Sequence, residues 1–274
     1  MNVCMFMWHA VIRLISQGAL ILLVSHCSAC IQVFADPIPV KEKQGAMYAF
    51  VSLKSPEGKV IAIGDEISTV AGNRITSRLT FHFRDGSIDD EIAVFTQGAI
   101  FQLVSDHHVQ KGPSFREPLD MSIDVHTNTV SWREIKSGKQ ESHSEHMDLP
   151  GDLANGMTSL IVENFPRGAA ELKVSYLAGT SKPRVVKLST KPDGEEAFRV
   201  GGATRQSRKY RIHIEIGGVT GLIAPLVGKQ PPDVGMWVTA GDVATFLRMR
   251  GPLYENGPIW TTEIAAPQWS DTQQ

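Results

Sequence analysis

The feature that most restricts this chain is a period of two in its hydrophobicity, sustained over most of residues 36–266. In "KYRIHIEIG", Tyr210, Ile212, Ile214 and Ile216 fall on one side, and Lys209, Arg211, His213 and Glu215 on the other. Successive side chains of an extended strand point to opposite faces, so such a run is a strand with one dry and one wet face. "NRITSRLTFHFRDG" repeats the pattern, with Ile75, Ser77, Leu79, Phe81 and Phe83 together, and closes on the turn pair Asp85-Gly86. Its hairpin partner is "SIDDEIAVF", which gathers Ile88, Ile92 and Val94 on one side and leaves Asp89-Asp90-Glu91 as a solvated strand start.

Further short runs follow, divided by turn signals such as Pro56-Glu57-Gly58, Thr127-Asn128, Ser137-Gly138 and Asp193-Gly194. The last of these separates a strand over Arg184–Thr190 from another over Glu196–Val200. Many short strands with frequent turns predict a mainly β fold, a curved antiparallel sheet or open barrel. One segment breaks the rhythm. "PGDLANGMTSLIVENFP" spaces Leu153, Met157, Leu160, Ile161 and Phe165 at helical intervals, with Asp152 to cap it and Pro166 to stop it. A single mid-chain helix packed on the sheet is the expectation.

The first 35 residues differ in kind. Arg13 is their only Lys, Arg, Asp or Glu, and an apolar run from Leu14 to Val24 leads to Val33-Phe34-Ala35, with small side chains where a signal peptidase requires them. This is a signal-peptide layout, and its apolar centre is short for a span of about 20 residues. The expected organisation is therefore a signal peptide over 1–35, one β-rich domain over 36–266 and a frayed tail over 267–274, with no transmembrane span in the mature chain. The protein is expected to be periplasmic or secreted. All three cysteines, Cys4, Cys27 and Cys30, precede the cut, so the mature chain has no thiol; a second reading attaches lipid at Cys30.

Composition narrows function more by exclusion than by selection. The 27 basic residues less Arg13 leave 26 against 29 acidic, a net charge of −3 for the mature chain. That balance predicts no nucleic-acid partner, because such binding draws on a surplus of Lys and Arg. "GGVTGLIAPLVGKQPPD" is not a phosphate loop: Ile223 stands where the first glycine is required, Gln230 follows Lys229, and Pro231-Pro232 cannot open the helix that would hold a phosphate. Leu222 to Val227 reads instead as a strand apolar on both faces, bent by its glycines and kept to an edge or bulge by Pro225.

Neither "SDHHV" nor "HSEH" is expected to hold a metal, since the odd spacing sends the two histidines of each pair to opposite faces of a strand; both read as a polar hairpin tip and a loop. No Gly-x-Ser-x-Gly elbow occurs, so no catalytic residue and no cofactor is predicted. The basic cluster Arg205, Arg208, Lys209 and Arg211 reads as a loop and a solvent face.

The leader, the alternating strands, the helix introduced by "DLPGDLANGM" and the later "GGVTGLIAPLVGKQPPD" and "YENGPIW" segments resemble those of an uncharacterised family of exported bacterial β-sheet proteins. More distantly they are similar to the open half-barrel carriers that localise lipoproteins. The resemblance implies a concave apolar face able to take acyl chains and transfers no catalytic residue. The function expected from it is binding of an apolar or amphipathic ligand, such as a lipid, with Leu222, Leu226, Leu153, Met157 and Leu160 as ligand-binding residues and Arg205, Arg208 or Arg211 as headgroup contacts. Two alternatives stand beside it: a metal-dependent hydrolase using Asp106, His107, His108 and His126, and a structural protein-interaction domain.

Overall fold

The computed structural model describes residues 37–136, 139–180, 182–200, 203–216 and 230–265. The leader over 1–35, the Leu222–Val227 strand with its ligand residues Leu222 and Leu226, and the tail over 267–274 lie outside the described residues.

Alternation gives strands throughout: β1 (Met47–Lys54), β2 (Val60–Ala71), β3 (Arg74–Phe83), β4 (Ile88–Gln97), β5 (Phe101–Lys111), β6 (Leu119–Asp124), β7 (Thr129–Lys136), β8 (Lys139–His146), β9 (Leu172–Ala178), β10 (Arg184–Val200), β11 (Ala203–Glu215), β12 (Val234–Thr239), β13 (Phe246–Gly251) and β14 (Trp260–Ile264). They form one antiparallel sheet in the order β8-β7-β6-β5-β4-β3-β2-β1-β14-β13-β12-β11-β10-β9. The sheet is mainly β as expected and does not close into a barrel: β8 and β9 are its two edges. A meander runs out from β1 to β8, the chain crosses, and a second meander returns from β9 to β14 beside β1.

Five local expectations are corrected. The helix α1 covers only Thr158–Glu163. Gly156, at φ +62°, takes the left-handed conformation that ends any helix arriving from Asp152. Asp152 caps nothing, because its carboxylate accepts the Ser175 N–H at 2.9 Å and the Ser175 hydroxyl at 2.8 Å. The strands placed before and after Asp193-Gly194 are one strand, β10, whose pairing with β11 only shifts register between Pro192 and Glu195. "HSEH" lies in β8 and "SDHHV" in the middle of β5, so neither is a loop or hairpin tip. The basic cluster from Arg205 likewise sits within β11.

The sheet bends around α1. Ile75, Phe95, Phe101, Met121, Ile123 and Val130 from one half, and Leu172, Val174, Leu188, Tyr210, Ile212 and Met236 from the other, pack in a single cluster with Leu160, Ile161 and Val162 of the helix. A second cluster of Val51, Leu53, Phe81, Phe83, Phe115 and Trp260 is held apart from the first. The crossing segment covers the β9 edge. Ala154 N–H donates to the Ser175 carbonyl at 2.9 Å, and the Asn155 amide accepts the Leu177 N–H at 2.8 Å while donating to the Leu177 carbonyl at 3.0 Å. An edge that would otherwise present unpaired backbone groups is thereby satisfied. Among the described residues no helix is long and apolar enough to cross a membrane.

Candidate functional site

Both faces of the β2–β5 half-sheet carry chemistry. On the inner face, β4 points Asp89, Glu91, Ala93, Phe95 and Gln97 inward and Ile88, Ile92 and Val94 outward, the reverse of a solvated acidic start. On β5 the phase changes at a bulge: Phe95 pairs with Leu103 but Val94 with Ser105, so Val104 is an extra residue. Beyond it Asp106, His108 and Gln110 face inward with Phe101 and Leu103, and His107 faces out. Glu66 on β2 completes the polar layer; it pairs with Leu79, and the inward-facing Ser77 lies beside it.

The layer is dense in carboxyl groups. His108 Nε2 lies 2.7 Å from Asp89 Oδ1 and its Nδ1 4.0 Å from Glu91 Oε1, while the Gln110 amide donates to Asp89 Oδ2 at 3.2 Å. Burial alone would lower the His108 pKa, but Glu91 and Asp89 outweigh it and push the imidazole up to about 9. Asp106 is 2% exposed, and no N–H or hydroxyl donor reaches either of its oxygens. Glu91 is its charged neighbour. Burial, and then the charge of Glu91, accordingly raise Asp106 well above the carboxylate range. Burial also raises Glu91 and Glu66, and it raises the Tyr176 phenol with Glu91, Asp106 and Asp89 adding to the effect.

The outer face of the same strands holds a groove of about 450 Å³ lined by Asp65, Ile67, Arg78, Thr80, His82, Ile88, Asp90, Val109 and Lys111. Asp90 is fully engaged there: Arg78 grips it with two nitrogens at 2.8 and 3.0 Å and the Thr80 hydroxyl donates to it at 2.7 Å. His82 and Lys111 form no ion pair among the described residues. The groove runs into an exposed apolar row. Tyr48 faces Ile67 across β1 and β2, Phe50 faces Asp65 and Ser52 faces Ile63, and Tyr48, Phe50 and Ile63 are 57%, 56% and 66% exposed. The Tyr48 and Phe50 rings meet edge to face at 4.9 Å. Lys54, Glu263 and Arg248 form a charged border on the β14 side.

Comparison with family models, with curated proteins and with solved structures finds no match.

The residues singled out in the sequence are dispersed. Leu153, Met157 and Leu160 are 2%, 1% and 5% exposed and packed in the main core against other side chains of the protein. Arg208 donates to the Gly241 carbonyl at 2.7 Å and Arg211 pairs with Asp193. Of the hydrolase quartet, Asp106 and His108 meet in the inner layer. His107 instead faces outward to Asp120 at 3.1 Å, and His126 is exposed in the turn between β6 and β7. The inner Glu66, Asp89, Glu91 and Gln110, and the outer row from Tyr48 to Ile67, were missed. One signal could have found the first set: acids in phase with Ala93 and Phe95 on β4.

Proposed function

We propose that this chain is an exported protein of the envelope or periplasm that binds an amphipathic ligand with an anionic headgroup on the outer face of β1–β5. The observation that carries the reading is the continuity of the exposed Tyr48, Phe50, Ile63 and Ile67 row with a groove in which Lys111 and His82 form no ion pair among the described residues. Soluble proteins rarely leave a contiguous apolar patch rimmed by charge without a use for it. The location follows the signal-peptide layout of residues 1–35.

Magnitudes assign the work between the two parts. Covering about half of each of four large apolar side chains contributes roughly 1 kcal/mol apiece, or about 4 in all. Association itself costs on the order of 4 kcal/mol or more. The apolar row alone therefore gives little affinity, and the headgroup contact in the groove decides it.

Titration calorimetry of the mature chain with dodecyl phosphate and with dodecyl maltoside, both below their micellar concentrations, tests this. Saturable binding of the phosphate, weakened tenfold or more by either Ile67→Glu or Lys111→Glu, is expected. The maltoside should bind weakly and lose affinity only in Ile67→Glu. No saturable binding of either amphiphile, or equal affinity in the parent and Ile67→Glu, overturns the proposal.

A further inference from the structure

The segment from Asp152 to Phe165 is bonded to the β9 edge through Asp152, Ala154 and Asn155, and comes against β4 and β5 at Gly156. There a Cβ on Gly156 would lie 2.3 Å from the Ala93 Cβ and 3.0 Å from Asp106 Oδ1. The last helical residue, Glu163, accepts the Phe246 N–H of β13 at 3.0 Å and contacts the Gln44 amide at 3.5 Å, with Glu66 of β2 as a charged neighbour. Asn164 accepts the N–H groups of Lys41 and Glu42 at 3.1 and 3.0 Å, which ties the N-terminal strap to the same helix end.

We propose that this segment is a proton-operated plug: it stays seated against β4 and β5 while the carboxyl groups beneath it hold protons, and it lifts as they ionise.

The charge inventory supports one direction of response. Beneath and beside the plug lie Glu66 from β2, Asp89 and Glu91 from β4, Asp106 and His108 from β5 and Tyr176 from β9. The plug itself brings Asp152 and Glu163, and Asp152 is answered by Lys187 of β10 at 3.4 Å. Nearby Lys41 of the strap is directed to the Asp242 carbonyl at 3.0 Å. His108 is thus the one cation for Glu66, Asp89, Glu91, Asp106 and Glu163 among the groups named. Each further ionisation places like charges together at low dielectric, and at Glu163 it also meets the negative end of α1.

Burial, with Glu66 adding to it, raises the Glu163 pKa from 4.5 to about 7. A carboxyl whose folded value is raised binds its proton more tightly folded than unfolded. The seated state is therefore most favoured below about pH 4.5 and loses ground as pH rises to about 7. His108 adds a later step, since its contribution is complete below pH 6.5 and is lost through about pH 9.

Hydrogen exchange of the full chain, expressed as protection factors at pH 5.5, 7 and 8.5, tests the plug. Protection over residues 152–165 is expected to fall tenfold or more from pH 5.5 to 8.5, while β3 changes less than twofold. Glu163→Gln, which keeps the shape and cannot ionise, should flatten that fall. Glu66→Gln should move it to lower pH, because the neighbour that raises Glu163 is gone. Constant protection in the parent overturns the proposal, as does an equal fall in β3, or a step unchanged in both variants. The amphiphile groove is on the opposite face, so its titration stands or falls separately.

Discussion

His108 Nε2 and Asp89 Oδ1 are 2.7 Å apart on the inner face of adjacent strands, with side-chain exposures of only 13% and 10%. A buried imidazole that close to a carboxylate, with Glu91 on its other nitrogen, is held as the cation. In an NMR titration His108 should protonate near pH 9, and Asp89→Asn should lower that value by a unit or more. The shift from 6.5 to about 9 corresponds to stabilisation on the order of 3 kcal/mol, present below pH 6.5 and gone above about 9. An ordinary His108 titration in the parent would remove the electrostatic account of the layer.

Gly156 is constrained twice, by φ +62° and by the Ala93 Cβ that a side chain would meet at 2.3 Å. The Ala93 Cβ is not the far end of a flexible side chain, so the overlap is relieved only by moving the plug or β4. Gly156→Ala should cost about 2–4 kcal/mol in urea unfolding. Gly98→Ala, where a Cβ meets nothing within 4 Å, should change stability by less than about 0.5 kcal/mol. Equal midpoints for the two variants would mean that the turn is not seated on Ala93.

The proposed export makes a prediction of its own. Intact mass of protein recovered from the envelope fraction should correspond to a chain beginning at Asp36 and lacking Cys4, Cys27 and Cys30. A mass that keeps residues 1–35, or that carries acyl chains on Cys30, contradicts cleavage after Ala35.

Much of the fold was legible one strand at a time. "KYRIHIEIG" and "RLTFHF" each announce a strand and its dry face, because period-two patterning is a local property of the backbone and its turns. The order of the fourteen strands was not legible: the meeting of β1 with β14, more than two hundred residues apart, is set by how the two halves close over α1. The apparent turn at Asp193-Gly194 was overridden for a similar reason, since β10 keeps pairing with β11 on both sides of it.

The site escaped the sequence through phase. One extra residue at Val104 reverses which side chains of β5 face inward, so Asp106 and His108 join the inner layer while His107 leaves it. On β4 local hydrophobicity favours turning Ile88, Ile92 and Val94 inward, yet the packing of Ala93 and Phe95 commits Asp89 and Glu91 to the inside. Such conflicts between local pattern and global fold are where functional sites are expected. The sequence by itself determined that the chain is built of two-faced strands around one helical interruption, because alternation and turn chemistry act over a few residues. Only the tertiary structure decided that five carboxyl groups and one histidine share an interior, and that an apolar row stays outside, because a bulge and long-range strand pairing choose the face.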